Sequence, residues 1–338
     1  MNKLNIAIIG FGNAAKAFSK ILIEKEKNII DKYDFKPIIT AIATNSRGCL
    51  ISDEQLNIKE LINMKNYFNH PKYTTLNSLD LIKQANYDLM IELTPLNIEN
   101  GQPATEYIKT ALKRGKHVIT ANKGPIAHAY QELKELANHM NVKLYYETTV
   151  MDGTPIFNLF NDTLPFCKVI GFEGILNTTT NYIITEMEKG ISFKDALEKG
   201  RKQGFVEANP KNDLAGYDAA AKVSVLVNAL MNKNIRPQQV QTEGIETLSF
   251  DDIAKATKNN VKIKLLCRAY YENSELIAEV KLKKLNFDHP LANINGTSSA
   301  ITIKTDLMKD ITIIENEPEI NQTGFGIFSD MIRLIDTI

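Results

Sequence analysis

Short hydrophobic runs alternate with amphipathic stretches through the first 150 residues. The runs predict buried strands, and the stretches, with apolar residues at helical spacing, predict helices. The predicted strands are residues 4–9, 38–43, 89–93, 117–120 and 142–146, and the predicted helices are residues 13–27, 76–84, 103–114 and 126–140. Strands that alternate with helices in this order predict an α/β fold with a doubly wound parallel sheet.

The pattern changes after Gly153. A longer helix is predicted over residues 213–231, and three stretches of alternating polarity predict strands at residues 168–176, 262–271 and 276–285. A polar segment between the last two suits a hairpin turn. We therefore predict a first domain over residues 1–150 and a second, α+β domain over residues 151–323. An amphipathic helix at residues 324–338 is expected to pack back on the first domain.

Composition narrows the classes of function. Lysine plus arginine total 40 and aspartate plus glutamate total 40, so no net field recruits nucleic acid or an anionic membrane. The 3 cysteines form no C-x-x-C pair, and the 5 histidines lack the spacing of transition-metal ligands. No signal-type or membrane-spanning segment is recognised. We expect a protein of the reducing cytoplasm that binds neither nucleic acid nor membrane.

A glycine-rich turn follows the first predicted strand. Residues 10–15 read Gly-Phe-Gly-Asn-Ala-Ala, which fits the dinucleotide fingerprint G-x-G-x-x-G/A at a strand-to-helix junction. Gly10 allows the tight turn, and Gly12 lets a pyrophosphate approach the N–H groups at the helix start. The residues expected to line the phosphates are Phe11, Asn13 and Ala14. This context favours dinucleotide binding over an ordinary glycine turn.

The end of the second predicted strand bears on the choice of cofactor. NAD-binding folds usually place an acidic residue there, whereas NADP-binding folds accommodate the 2′-phosphate. This chain has Thr44, Asn45, Ser46 and Arg47 at that point, without an acid. Because a guanidinium suits a phosphate, we expect NADP, with NAD as the alternative. A solvated surface arginine is the other interpretation of Arg47.

Two later strand ends carry polar residues. Ligands of open α/β sheets bind beyond the carboxyl ends of the strands. Thr94 and Pro95 follow one predicted strand, and Lys123 follows the next, before a Gly-Pro turn. We expect Thr94, Pro95 and Lys123 to face the cofactor. For Lys123, a flexible surface lysine is the alternative.

Asp218 and Lys222 lie four residues apart on a predicted helix that starts near Gly216. They therefore share a helix face near its positive end, which should ease loss of the Lys222 proton. Interconversion of an alcohol and an aldehyde needs a group that both gives and takes a proton. We predict that Lys222 is this acid/base. A plain i,i+4 ion pair is the alternative for the two residues.

Six segments together resemble homoserine dehydrogenase in its short form without a regulatory domain. They are residues 10–15, 92–95 (Glu-Leu-Thr-Pro), 115–125 (Gly-Lys-His-Val-Ile-Thr-Ala-Asn-Lys-Gly-Pro), 146–155 (Tyr-Glu-Thr-Thr-Val-Met-Asp-Gly-Thr-Pro), 174–183 (Gly-Ile-Leu-Asn-Thr-Thr-Thr-Asn-Tyr-Ile) and 204–222, which begins Gly-Phe-Val-Glu-Ala-Asn-Pro. The resemblance implies NAD(P)-dependent interconversion of L-homoserine and L-aspartate 4-semialdehyde, in the synthesis of threonine and methionine. It also implies a Rossmann-type cofactor domain and a homodimer formed through the second domain.

The resemblance also implies roles for individual residues. Asp213 and Asp218 would lie in the substrate pocket, Glu207 would hold the substrate amine, and Lys123 would meet nicotinamide and substrate. Gly324 would contact the nicotinamide side of the cofactor. A monovalent cation such as sodium would be bound, mainly through backbone oxygens, by Glu147, Val150, Asp152 and Thr154 near the domain junction. For that segment a plain interdomain turn is the alternative.

Two other functions stay open at this point. One is a Rossmann dehydrogenase of another small amino-acid semialdehyde. The other is a regulatory module that senses NADP without turnover, although retention of Lys123, Glu207, Asp218 and Lys222 argues against it. A phosphorylating semialdehyde dehydrogenase would need a nucleophilic cysteine, and the cysteines lie outside the motif-bearing segments. We expect no threonine feedback through a domain of its own.

Overall fold

The structure, a computed structural model, describes all 338 residues. The chain forms two compact units: unit 1 comprises Met1–Ile156 and Glu319–Ile338, and unit 2 comprises Phe157–Pro318. The divisions thus lie after Ile156 and Pro318, where the sequence predicted 150 and 323. Ile156 belongs to unit 1 because its side chain is buried and its N–H donates to the Glu147 carboxylate, at 2.6 Å.

Unit 1 is an α/β sandwich, and its elements are numbered along the whole chain. Its strands are β1 (Asn2–Ile9), β2 (Phe35–Thr44), β3 (Gly48–Ile51), β4 (Tyr73–Thr74), β5 (Leu89–Glu92), β6 (His117–Thr120) and β7 (Leu144–Tyr145). Its helices are α1 (Asn13–Tyr33), α2 (Ile58–Leu61), α3 (Ser78–Gln84), α4 (Ala104–Lys113), α5 (Lys123–His139) and α11 (Ile320–Ile335).

The strand order in unit 1 is β4-β3-β2-β1-β5-β6-β7. The five strands from β2 to β7 in this order are parallel, which confirms the predicted doubly wound sheet. The sheet is not parallel throughout, because β3 pairs antiparallel with β2 and β4 antiparallel with β3. These two antiparallel strands at one end of the sheet were not predicted from the sequence.

Helices cover both faces of this sheet. Ile6 and Ile8 of β1 face one core with Phe18 of α1 and Met331 of α11. Ala7 and Ile9 of β1 face a second core, formed with α4 and α5. Because both faces are buried, residues 6–9 of β1 form a continuous apolar run rather than an alternating one.

Unit 2 is an α+β layer structure. Its strands are β8 (Val169–Ile175), β9 (Gln241–Thr242), β10 (Val261–Glu272), β11 (Glu275–Asn286), β12 (Ser299–Thr305) and β13 (Asp310–Glu315). Its helices are α6 (Thr178–Glu188), α7 (Phe193–Gln203), α8 (Lys211–Leu214), α9 (Tyr217–Leu230) and α10 (Phe250–Lys258). The strand order is β13-β12-β8-β10-β11-β9.

Two turns define the geometry of unit 2. The predicted hairpin is confirmed: β10 and β11 pair in register, and Asn273 and Ser274 form its turn with φ of 49° and 68°. Both values suit a two-residue hairpin of the I′ kind. The helix predicted over residues 213–231 is instead split into α8 and α9, because Gly216 between them has a φ of +81°.

None of the helices in either unit combines the length and apolar composition that a membrane crossing requires.

Candidate active site

The glycine fingerprint forms a tight turn between β1 and α1 in unit 1. Gly10 has a φ of +89°, and a Cβ there would lie 2.5 Å from the Leu93 carbonyl oxygen, so only glycine fits. Gly12 caps α1, and a Cβ on it would meet nothing within 4 Å. The backbone N–H groups at the start of α1 therefore lie beside open space. This arrangement fits the pyrophosphate of a dinucleotide.

Arg47 lies against the fingerprint turn. Its guanidinium donates to the Phe11 carbonyl, and its central carbon is 5.6 Å from the Phe11 ring centroid and 5.4 Å from that of Tyr67. The Arg47 N–H donates to the Thr44 hydroxyl at 3.0 Å, which closes the turn after β2. Arg47 is thus held beside the first phosphate-binding residues rather than extended into solvent. Whether it binds a 2′-phosphate stays a prediction.

A buried carboxylate at the end of β5 organises the next loop. Glu92 is 0% exposed and accepts hydrogen bonds from the Thr94 N–H at 2.8 Å, the Thr94 hydroxyl and the Thr120 hydroxyl at 2.9 Å. Burial raises the pKa of Glu92 above its usual range, and the hydrogen bonds from Thr94 and Thr120 oppose that rise. Sequence reasoning quoted Glu92 only as part of a motif. The signal for its role is a carboxylate that ends an otherwise apolar strand.

Asn122 joins this loop to the start of α5. Its side-chain amide donates to the Thr94 carbonyl at 3.1 Å, and its side-chain oxygen accepts from the Gly124 N–H at 3.0 Å as the cap of α5. Lys123 is the first residue of α5. The structure therefore brings Thr94 and Lys123, which follow different strands, to one edge of the sheet. Asn122 was missed as a functional residue by the sequence analysis.

Unit 2 brings the predicted acid/base and substrate residues together. Asp213 lies on α8, whereas Asp218 and Lys222 lie on α9. The Asn177 side-chain amide donates to Asp213 Oδ1 at 2.7 Å and to Asp218 Oδ2 at 3.1 Å. Lys222 Nζ donates to the Leu176 carbonyl at 2.6 Å. Leu176 and Asn177 are within a motif that the sequence analysis quoted, but neither was assigned a role.

Three carboxylates influence one another in this cluster. Burial raises the pKa of Asp213, the charge of Asp218 raises it further, and the hydrogen bond from Asn177 opposes the rise. Glu207, in the exposed loop before α8, adds to the repulsion, and Lys222 counteracts it. A group of carboxylates whose negative charge is incompletely balanced suits an incoming ammonium group.

Cys267 of β10 lies close to Leu176 and Lys222. It is 1% exposed, and burial raises the pKa of its thiol to about 12. The thiol therefore stays protonated at neutral pH and does not act as a nucleophile.

The four predicted cation-binding residues share one turn of unit 1. The Glu147 carboxylate is buried and accepts from the Ile156 N–H, and the Glu147 N–H donates to Asp330 at 3.0 Å. The Asp152 carboxylate accepts from the Thr323 hydroxyl at 2.6 Å. The chain contains no group of three or more histidine, cysteine, aspartate or glutamate side chains that could hold a metal ion. Binding of a cation at this turn, mainly by backbone oxygens of Glu147, Val150, Asp152 and Thr154, stays a prediction.

Gly324 lies inside α11 and has a packing role. A Cβ on it would lie 2.7 Å from the Ala17 Cβ and 2.7 Å from the Phe18 nitrogen of α1. The glycine therefore lets α11 approach α1 closely. Contact of Gly324 with a cofactor stays a prediction, and the structure supplies an independent reason for a glycine there.

Comparisons with known proteins match both units. A family described as "Homoserine dehydrogenase, NAD binding domain" matches residues 10–147, and one described as "Homoserine dehydrogenase" matches residues 155–332. The chain is 33% identical to an NAD(+)-dependent homoserine dehydrogenase of Pseudomonas canavaninivorans, over 99% of this chain and 97% of that protein. It is 35% identical to a homoserine dehydrogenase of Methanocaldococcus jannaschii, over 99% of each chain. The crystal structure of S. aureus homoserine dehydrogenase superposes with a TM-score of 0.81 at 29% identity, covering 100% of this chain and 77% of that one.

Proposed function

The chain belongs to the homoserine dehydrogenase family, and we propose that Lys222 is the group that transfers the proton in its reaction. That reaction interconverts L-homoserine and L-aspartate 4-semialdehyde with a nicotinamide cofactor. The observation that carries the proposal is the cluster in unit 2, where Lys222 lies with Asp213 and Asp218.

The substrate alcohol must lose its hydroxyl proton when it is oxidised and regain it in the reverse direction. Lys222 has three N–H positions, and the Leu176 carbonyl accepts from its Nζ. This contact directs the Lys222 amine toward the end of β8. Lys222 is thereby oriented to accept the proton from the substrate hydroxyl as a neutral amine, and to return it as an ammonium in the reverse direction.

We assign the substrate ammonium to Glu207, which would hold it through charge-assisted hydrogen bonds. Asp213 and Asp218 are assigned to the same substrate pocket, with Asp218 as a catalytic residue beside Lys222. Glu207 is the exposed member and so is available to close on the substrate. Lys123 of unit 1, at the start of α5, is assigned to the nicotinamide region and the substrate.

The cofactor assignment rests on unit 1. The N–H groups at the start of α1, beside Gly12, would hold the pyrophosphate, and Thr94 with Pro95 would line the nicotinamide side. When bound, the cofactor supplies the hydride acceptor or donor. We propose NADP as the preferred form, because Arg47 is held beside Phe11 and no acidic residue follows β2 before it. The Pseudomonas relative is named as NAD(+)-dependent, so NAD is the alternative.

Replacing Arg47 tests this preference. Arg47→Gln should lower kcat/KM for NADP about tenfold or more relative to NAD, because hydrogen bonds to charged groups are worth about 1.5–3 kcal/mol. Lys113→Gln, at an exposed position on α4, is the control. An unchanged NADP to NAD ratio would remove the 2′-phosphate role from Arg47.

Three further proposals follow from the same assignment. We propose a sodium ion at the turn of Glu147, Val150, Asp152 and Thr154, a homodimer through the β10–β11 hairpin, and a cytoplasmic location. Sodium should raise the melting temperature of the protein above that in choline chloride of equal concentration. Sedimentation at several protein concentrations checks the dimer.

The central test follows the absorbance of reduced nicotinamide with L-homoserine and NADP or NAD in parallel. Lys222→Ala should lose roughly 10²- to 10⁴-fold in kcat, the usual contribution of a general acid/base. Glu207→Gln should mainly raise KM for homoserine. The controls are Lys202→Ala and Glu198→Gln, whose side chains on α7 are 76% and 59% exposed. Cofactor binding without turnover in the wild-type protein would instead indicate a sensing module.

A further inference from the structure

Asn177 has an unusual combination of contacts at the junction of β8 and α6. It is 5% exposed and caps α6, accepting from the Thr180 N–H at 2.9 Å and from the Thr180 hydroxyl at 3.0 Å. The side-chain oxygen is therefore committed to the helix. This commitment determines which way the amide nitrogen points.

The amide nitrogen reaches two carboxylates on two other helices. It donates to Asp213 Oδ1 on α8 at 2.7 Å and to Asp218 Oδ2 on α9 at 3.1 Å. An amide group carries two N–H donors and one oxygen acceptor, so Asn177 can satisfy both carboxylates and the helix start at once. Serine, threonine and aspartate also cap helices well, but none of them can donate twice. Capping alone therefore does not explain an asparagine here.

The two carboxylates need such a bridge. Asp213 and Asp218 carry like charges and come from separate helices joined through Gly216. Their mutual repulsion favours separation or protonation of one of them. The preceding residue, Leu176, supplies the carbonyl that accepts from Lys222. Leu176 and Asn177, two consecutive residues, thus contact Asp213, Asp218 and Lys222.

We propose that Asn177 is a positioning residue of the active site, whose amide holds Asp213 and Asp218 together in the substrate pocket. The proposal rests on the proposed function. Asn177 acts through the two aspartates and has no assigned contact with the reacting atoms.

Two substitutions separate this role from helix capping. Asn177→Ser and Asn177→Asp both keep an oxygen that can cap α6, and both remove the two N–H donors of the amide; serine retains one O–H donor and aspartate none. We expect each to raise KM for homoserine by about tenfold or more, and Asn177→Asp to do more harm because it adds a third negative charge. The acid limb of the kcat/KM profile should move to higher pH, since a carboxylate that loses a hydrogen-bond donor binds its proton more tightly. The affinity for cofactor should stay at its wild-type value.

The matched control is Asn77→Ser. Asn77 also caps a helix, accepting from the Asp80 N–H at 2.9 Å, but on α3 of unit 1. The Asn77→Ser substitution should leave KM for homoserine and the pH profile of kcat/KM unchanged. Thermal unfolding of all three variants reports whether α6 is retained.

A second readout keeps this inference separate from the proposed function. In protein labelled with carboxyl-¹³C aspartate, the titration midpoint of Asp213, assigned with Asp213→Asn, should rise in Asn177→Ser. If wild-type protein and Asn177→Ser share the same KM, acid limb and Asp213 midpoint, the positioning role is wrong even though Lys222→Ala is inactive. If wild-type protein does not act on homoserine, the proposed function fails, and a raised Asp213 midpoint would still support the bridge.

Discussion

Removing the Glu92 carboxylate should destabilise unit 1 strongly, because several hydrogen bonds depend on this one side chain. In Glu92→Leu, the Thr94 N–H, the Thr94 hydroxyl and the Thr120 hydroxyl lose their acceptor, and so does the Asn122 side-chain amide. A buried donor without a partner costs about 1–3 kcal/mol. The hydroxyls can rotate toward other acceptors but the backbone N–H cannot, so we expect about 3–5 kcal/mol rather than the full sum.

Glu92→Gln is the graded comparison. Glutamine keeps the shape and one oxygen, so only one side of the former carboxylate loses its acceptor. We expect a loss of about 1–2 kcal/mol. Thr94 and the Asn122 cap of α5 depend on this loop. The affinity for nicotinamide cofactor should therefore fall in the same order as stability, and Glu92→Leu should bind cofactor more weakly than Glu92→Gln.

Calorimetry measures the effect directly. For a domain of this size each kcal/mol shifts the melting temperature by roughly 2–4 °C, so Glu92→Leu should lower the unit 1 transition by roughly 6–20 °C. Glu24→Leu, at an exposed position on α1, is the control for adding a leucine. A Glu92→Leu protein that melts with wild-type protein would refute the reasoning that these hydrogen bonds are needed.

The raised pKa of Glu92 predicts how its contribution to the free energy of unfolding changes with pH. Burial raises the pKa of Glu92 above the ordinary value of 4.5, so folded protein holds this proton more tightly than unfolded protein. The Glu92 contribution to stability is therefore greatest at low pH and is lost as pH rises from 4.5 through the raised pKa. The difference in unfolding free energy between wild type and Glu92→Gln should narrow over that window. A difference that grows with pH would contradict the assigned direction.

Three further outcomes are expected. Gly324→Ala should lower stability by about 1–3 kcal/mol, measured by urea unfolding, because its Cβ would lie 2.7 Å from the Ala17 Cβ; an unchanged midpoint would mean that α11 shifts without cost. Iodoacetamide at pH 8 should label Cys167, which is partly exposed, and spare Cys267, whose thiol pKa is about 12. Mass spectrometry of the labelled peptides measures the labelling of each cysteine, and fast labelling of Cys267 would contradict its burial. Burial lowers the pKa of Lys264 from 10.5 to about 8, so its unfavourable contribution to stability is present below pH 8 and is relieved as pH rises toward 10.5. The stability of wild type relative to Lys264→Met should therefore increase over that range, and a flat difference would show that Lys264 keeps an ordinary pKa.

Several features could be predicted because they are local in the chain. The fingerprint from Gly10 to Ala15 is contiguous, so the turn and the helix start that it forms depend on neighbouring residues. The apolar run over residues 6–9 of β1 likewise reflects burial on both faces, and the alternation of strands and helices predicted the parallel sheet. The antiparallel edge strand β4 has two residues and no such pattern. β4 pairs with β3 only because β3 is itself held at the side of β2.

The amino-acid sequence by itself determined the fold class, the order of the elements and the residue types that carry the chemistry, because periodicity and glycine turns are short-range properties. Only the tertiary structure decided that Asn177 bridges Asp213 and Asp218, which are 36 and 41 residues away along the chain. The same holds for the Leu176 carbonyl, since a backbone oxygen carries no sequence signal. Hydrogen bonds between distant residues depend on how helices and strands pack, and that packing is set by the whole core.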